Sequence, residues 1–116
     1  MKISSAVKIA VFLIYGLLVS LASLSPGSSV SIEVWDKLLH FITYGLFAIL
    51  GFGIAGSSRT YLYVCLGIVA YSGLIEVGQS FIPGRFMSGY DLVANALGVT
   101  IGAILVRLLA PLLGRA

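Results

Sequence analysis

Polar and ionisable side chains collect where two long apolar stretches of the sequence meet, in residues 76–95. Glu76 and Gln79 lie near the end of the first stretch, and Asp91 and Asn95 lie at the start of the second. An ionisable side chain is costly at the depth of a membrane and by default marks a functional site there. We therefore expect these groups to face the protein interior, where they could bind a ligand.

A second set of polar residues precedes this stretch. Asp36, His40 and Tyr44 recur every four positions, so they share one face of a helix, and Lys37 is adjacent to the first of them. The 76–95 stretch bends at Pro83-Gly84-Arg85, between the two apolar stretches. The helix that contains Asp36 begins on the same side of the membrane as this bend. The sequence therefore predicts that three helices present polar side chains at one depth.

The elements that position these residues follow from composition. The chain has 116 residues, of which 59% are apolar and 9% are charged, and its mean hydropathy is +1.12. Such values are typical of polytopic membrane proteins, in which a spanning helix needs about 20 apolar residues. The sequence predicts one all-α domain that forms a bundle of four transmembrane helices, at about 6–24, 37–55, 61–81 and 91–113.

The first span also resembles a signal peptide, because Lys2 and Lys8 precede an apolar stretch and Ser20-x-Ala22 is a weak cleavage site. Its length favours a membrane span over a cleaved leader. The single cysteine, Cys65, has no partner for an intrachain disulfide and is interpreted as a packing residue.

The basic residues predict the orientation. They are scattered singly, which argues against a nucleic-acid surface despite the net charge of +3. Basic residues are enriched in cytoplasmic loops, and one side of the predicted bundle has more of them. Both termini are therefore predicted to be cytoplasmic, from Lys2, Lys8, Arg59, Arg107 and Arg115 on one side against Lys37 and Arg85 on the other.

The polar residues favour an anionic ligand. The N-termini of the second and fourth spans present backbone N–H groups, which favour anions. The cationic side chains nearby are Lys37, Arg85 and a protonated His40. Arg85 is suited to bind a phosphate with two parallel hydrogen bonds. The predicted partner is a membrane lipid with an anionic head group, of the polyprenyl-phosphate type. Three carboxylates oppose such a ligand unless they turn away, are protonated or are bridged by a metal ion, namely Asp36, Glu76 and Asp91.

Chemical alternatives stay open. His40 with Glu76 or Asp36 could form a general acid/base pair, although no recognised nucleophile motif accompanies them. A divalent metal held by His40 and two carboxylates fits the residue types but matches no known spacing. No cofactor is assigned.

Structural alternatives are also open. Asp36 and Asp91 can be helix caps, and Glu76 can pair with Arg85 or Lys37 between helices. The other polar residues, Gln79, Asn95, His40 and Tyr44, can be members of an interhelical hydrogen-bond network or of the core.

A stripe of small residues on the fourth span recurs every four positions, at Ala94, Gly98 and Gly102. Gly-x-x-x-Gly permits close contact between helices. The neighbour of the stripe is another helix of the chain, a second copy or another membrane protein.

Three segments of the sequence resemble the VanZ-like family. They are D-K-L-L-H-F-I-T-Y at 36–44, E-V-G-Q-S-F-I-P-G-R at 76–85 and S-G-Y-D-L-V-A-N-A-L-G at 88–98. The resemblance implies a small protein of the bacterial inner membrane, in a family named for a member associated with resistance to teicoplanin. It implies no settled reaction, and it selects as motif residues Asp36, Lys37, His40, Glu76, Gln79, Arg85, Asp91 and Asn95.

Three functions fit these observations. The first is a cell-envelope protein that binds or modifies an anionic, lipid-linked head group near the outer leaflet. Asp36, Lys37, Gln79, Arg85, Asp91 and Asn95 would contact the ligand. The second is a membrane-embedded hydrolase or transferase that uses His40 and Glu76 as catalytic acid and base. The third is a structural module without catalysis, whose polar residues hold the helices together and whose partner is another membrane protein.

Overall fold

The computed structural model describes residues 3–24, 33–82 and 89–113, and for residues 33–36 and 113 it describes only the backbone. Four long helices follow one another, α1 (Ser5–Leu24), α2 (Glu33–Ile54), α3 (Ser58–Gln79) and α4 (Gly89–Leu109), and α4 continues into a 3₁₀ turn (Ala110–Leu113). All four are long and apolar enough to cross a membrane, and the described ranges contain no strand. The predicted all-α membrane bundle is confirmed.

The long axis of the bundle measures 45 Å, against 25 Å and 23 Å across it. A bilayer with its head groups is about 40–45 Å thick. Much of the apolar surface faces outward, most of all on α1, where Leu13, Leu17 and Leu21 are exposed. In water such a surface would aggregate, whereas in a bilayer it contacts lipid chains.

Two predicted helix caps are wrong. Helix α2 begins at Glu33, which places Asp36 in its first turn. Helix α4 begins at Gly89, and Asp91 likewise lies in the first turn. In both cases the residues just before the aspartate, such as Trp35 and Tyr90, are compatible with a helix. The helix therefore begins two or three residues before the aspartate. A carboxylate in the first turn still interacts favourably with the helix dipole.

Helices α2 and α3 are joined by a tight connection at residues 55–57. Ser58 and Arg59 belong to α3, and Ser57 is its N-cap, whose hydroxyl oxygen accepts a hydrogen bond from the backbone N–H of Thr60 at 3.1 Å. Serine is favoured at this position because it pairs one of the unbonded N–H groups at a helix start.

Helix α2 lies at the centre and contacts α1, α3 and α4. Its contact with α4 is the closest, because glycines bring the two backbones together. A Cβ atom added to Gly98 would clash with the carbonyl oxygen of Phe41, and one added to Gly102 would clash with the backbone of Gly45. In the described part of the chain the glycine stripe thus packs against α2. Binding of a second copy or another membrane protein stays a prediction.

On the other side of α2, aromatic rings form the core with α1 and α3. Phe47 lies at their centre, with ring centroids of Phe12, Tyr15, Tyr44 and Tyr71 at 5.0, 5.2, 6.0 and 6.1 Å. Tyr44 is therefore a core residue, one of the two roles predicted for it. The α1–α2–α3 contact relies on ring packing, and the α2–α4 contact on glycine.

Candidate functional site

Polar side chains meet at the end of the bundle where α2 and α4 begin and α3 ends. We call Lys37, His40, Glu76, Asp91 and Asn95 the polar end cluster. Three of its members are almost fully buried, Glu76, Asp91 and Asn95 being 3%, 7% and 1% exposed. The cluster draws on three helices, as the sequence predicted, and residues that are far apart along the chain become neighbours.

Asp91 connects the two polar residues of α2. Its Oδ1 atom lies 2.5 Å from Nζ of Lys37, which forms a salt bridge between α2 and α4. Its Oδ2 atom lies 3.7 Å from Nε2 of His40. This second distance exceeds the range of an N–H···O hydrogen bond, which is about 2.7–3.2 Å. The carboxylate therefore faces the imidazole without a normal direct hydrogen bond.

Asn95 orients the imidazole ring. Nδ1 of His40 lies 3.2 Å from Oδ1 of Asn95. A side-chain amide oxygen only accepts hydrogen bonds, so Nδ1 carries the proton and donates it. The other ring nitrogen, Nε2, is thereby turned towards Asp91. Since Asn95 is buried one helical turn after Asp91 on α4, the two residues act on the same imidazole from one side.

Glu76 brings a second carboxylate to this imidazole from α3. A ring nitrogen of His40 and one carboxylate oxygen each from Glu76 and Asp91 all lie within 4.8 Å of one another. Burial of two carboxylates is expensive unless cations or hydrogen-bond donors compensate. An imidazole nitrogen beside two carboxylates is a set that can exchange protons with a substrate or ligate a metal ion.

Gln79 points elsewhere. Its Nε2 atom donates a hydrogen bond to the backbone carbonyl oxygen of Ser23 at 3.0 Å, which joins the ends of α3 and α1. This is the interhelical role that the sequence left open for it, and a role in ligand binding stays a prediction. Ser23 had no signal in the sequence, because a backbone carbonyl acceptor is common to all residue types.

A cavity of about 400 Å³ lies between α1, α2 and α3 next to the cluster. His40 and Gln79 line its polar part, and Leu18, Val19 and Leu39 contribute apolar wall. The cavity therefore combines a polar end with an apolar surface that continues along α1. The contribution of α1 could not be predicted, because its lining side chains do not differ in type from lipid-facing ones.

Tyr44 also lines this cavity. It is only 2% exposed, and its hydroxyl has no hydrogen-bond partner among the described residues. A buried hydroxyl without a partner costs free energy, about 1–3 kcal/mol. A ligand in the cavity could supply the missing partner.

Two predicted site residues lie outside these observations. Arg85 is outside the described residues, and for Asp36 the described atoms are those of the backbone. Their roles in ligand binding stay predictions, as does the pairing of Glu76 with Arg85.

The chain matches a known protein family. The family model described as VanZ/LLP1 matches residues 2–110, nearly the whole chain. The match confirms the family resemblance of the three motifs. No curated protein matches the chain, and no solved structure matches it.

Proposed function

The chain belongs to the VanZ/LLP1 family, and we propose that this membrane protein binds an anionic, lipid-linked head group at the polar end cluster. A polyprenyl phosphate or a cell-wall precursor linked to such a lipid is the ligand class. We place it in the bacterial inner membrane with both termini in the cytoplasm and the cluster near the outer leaflet. A cell-wall precursor as ligand would connect the protein to glycopeptide resistance.

The observation that carries this proposal is the cavity beside the cluster. It holds about 400 Å³ and joins His40 and Gln79 to apolar residues such as Leu18 and Leu39. Ligand pockets of this kind are mostly apolar and have a few convergent polar groups. A head group would contact the polar end, and the first isoprene units would lie along the apolar wall of α1.

The charges at this end of the bundle support an anionic head group only in part. The N-termini of α2 and α4 lie here, and backbone N–H groups at helix starts favour anions. Lys37 adds a positive charge that is shared with Asp91. Glu76 and Asp91 oppose a phosphate unless a further cation accompanies it.

The test compares lipids that differ only in the phosphate. Protein in detergent is titrated with a polyprenyl phosphate and with the uncharged polyprenol of equal chain length, and binding is followed by native mass spectrometry. We expect the phosphate to bind at least about tenfold more tightly, a difference of about 1.4 kcal/mol. Equal binding of the two lipids would refute the proposal.

A variant that fills the cavity tests its location. Leu18 lines the cavity but is 59% exposed, so Leu18→Trp should leave the core intact. Leu21→Trp is the matched control, on the same helix and 61% exposed. We expect Leu18→Trp to weaken polyprenyl phosphate binding at least tenfold, about 1.4 kcal/mol, and Leu21→Trp to bind like the parent.

A second candidate, a membrane-embedded hydrolase or transferase acting on the same lipid class, is favoured by one observation. His40 and Glu76 approach each other within the cluster, as an acid/base pair requires. Phosphate release from a polyprenyl diphosphate would be the assay. His40→Ala should lower turnover by about 10²-fold or more, well beyond any accompanying loss of lipid affinity. Full activity in both His40→Ala and Glu76→Ala would exclude this candidate.

A further inference from the structure

The centre of the polar end cluster has the donor set of a metal site. His40 lies on α2, Glu76 on α3 and Asp91 on α4. One ligand atom of each residue lies within 4.8 Å of the ligand atoms of the other two. Ligand bonds of about 2.0–2.2 Å place two ligands of a tetrahedral ion about 3.3–3.6 Å apart. The ligand atoms that lie farthest apart thus need to approach by up to about 1.5 Å. We propose that His40, Glu76 and Asp91 bind a divalent cation.

The hydrogen bond between His40 and Asn95 supports this independently. In metal sites the imidazole almost always donates its second N–H to a carbonyl or carboxylate oxygen, which fixes the ring and its tautomer. Nδ1 of His40 lies 3.2 Å from the amide oxygen of Asn95, and Nε2 is 3.7 Å from Oδ2 of Asp91. That separation is too long for a hydrogen bond and fits two ligands of one ion. Asn95 is therefore a positioning residue for His40.

The formal charges of the cluster point the same way. Glu76 and Asp91 bring two buried carboxylates to the imidazole, and Oδ1 of Asp91 forms a salt bridge with Lys37. Oδ2 of Asp91 faces His40. A divalent cation at this centre would add two positive charges and favour an anion as its further ligand.

The donors indicate which ions to test. One imidazole nitrogen and two carboxylates suit Zn²⁺ and Mn²⁺ better than Mg²⁺ or Ca²⁺, which prefer all-oxygen sites. Three protein ligands leave at least one coordination position for another group. The ion is inferred from the geometry alone, whereas a phosphate as its further ligand rests on the proposed function.

The first experiment measures stoichiometry. Protein purified without a histidine tag is dialysed against EDTA, and Zn²⁺ and Mn²⁺ are then titrated by calorimetry. We expect one equivalent to bind. His40→Ala, Glu76→Gln and Asp91→Asn should each weaken binding by at least about tenfold, and so should Asn95→Ala. Arg107→Gln removes a charge at the other end of α4 and should bind like the parent. Absence of stoichiometric binding in the parent, or undiminished binding in His40→Ala, overturns the inference.

A second measurement needs no variant and so is independent of their folding. The chain has one histidine, so pulsed electron paramagnetic resonance of the Mn²⁺-loaded protein should show a single imidazole ¹⁴N coupling. A bound Mn²⁺ without that coupling shows that the ion lies elsewhere and overturns the assignment.

A lipid titration separates this inference from the proposed function. Polyprenyl phosphate is titrated into the Zn²⁺-loaded protein and into the protein in EDTA. Metal binding without lipid binding upholds the ion and rejects the lipid function. Lipid binding with no metal bound in the parent protein upholds the lipid function and rejects the ion. Tighter lipid binding in the presence of Zn²⁺ supports both, because the ion then contributes to holding the phosphate.

Discussion

The middle of the α2–α4 contact and its end at the polar cluster are built differently. In the middle, Gly98 and Gly102 press against the backbone of α2 at Phe41 and Gly45, and contact depends on the absence of side chains. At the end, Asp91 and Asn95 contact Lys37 and His40 through polar atoms. Helices in lipid associate through packing and hydrogen bonds because no hydrophobic force drives them together. The chain uses packing where no ligand is expected, and polar groups where one is proposed.

The largest effect is expected in the middle of this contact. Gly98→Ala places a Cβ atom against the carbonyl of Phe41, which cannot move without moving α2. We expect a loss of about 3 kcal/mol or more in the free energy of unfolding, at the upper end of overpacking costs. Gly73→Ala is the control, since nothing lies within 4 Å of a Cβ there. Unfolding in SDS measures both, and equal effects would show that the glycines are not a packing device.

At the polar end, Asn95→Ala should have the next largest effect. It leaves the N–H at Nδ1 of His40 without its acceptor in a buried place, which costs about 1–3 kcal/mol. Thr100→Ala serves as control, because the Thr100 hydroxyl donates to the carbonyl of Ala96 on an exposed part of the same helix. Nitrogen NMR of the single histidine should also show that the preference for a proton on Nδ1 is lost. An unaltered spectrum would contradict the assigned hydrogen bond.

Away from the cluster, a buried tyrosine gives a smaller effect. The hydroxyl of Tyr61 donates to the carbonyl of Ala48 at 2.7 Å. Tyr61→Phe should therefore lower the free energy of unfolding by about 1 kcal/mol and leave lipid and metal binding unchanged. Changed lipid affinity would mean that the polar end is not separate from this part of the bundle.

No loss of stability is expected for Tyr44→Phe. Its hydroxyl has no hydrogen-bond partner among the described residues, so its removal should leave the free energy of unfolding unchanged or raise it by up to about 1–3 kcal/mol. Because the residue lines the cavity, polyprenyl phosphate should bind more weakly. A stability loss as large as that of Tyr61→Phe, with unchanged lipid affinity, would assign Tyr44 to the core alone.

The sequence was sufficient for the membrane class and for most of the candidate site. Spacing every four residues placed Asp91 and Asn95 on the buried face of α4, and His40 and Glu76 were selected because ionisable groups are rare in apolar stretches. The predicted N-cap positions of Asp36 and Asp91 were wrong. Where a helix begins depends on the residues on both sides of its end and not only on one favourable capping residue. The bond from Gln79 to Ser23 was not predictable, because its acceptor is a backbone atom 56 positions away.

Composition and periodicity by themselves determined four apolar helices and which of their polar residues turn away from lipid, because both depend on local transfer free energies along the chain. Only the tertiary structure decided which polar atoms meet. The backbone contact at Gly98 sets how closely α4 approaches α2, and this approach brings Asp91 to His40 and Asn95 to Nδ1 of the same ring. Distances of a few ångströms between helices depend on packing of the whole bundle, and they convert a set of polar residues into a site.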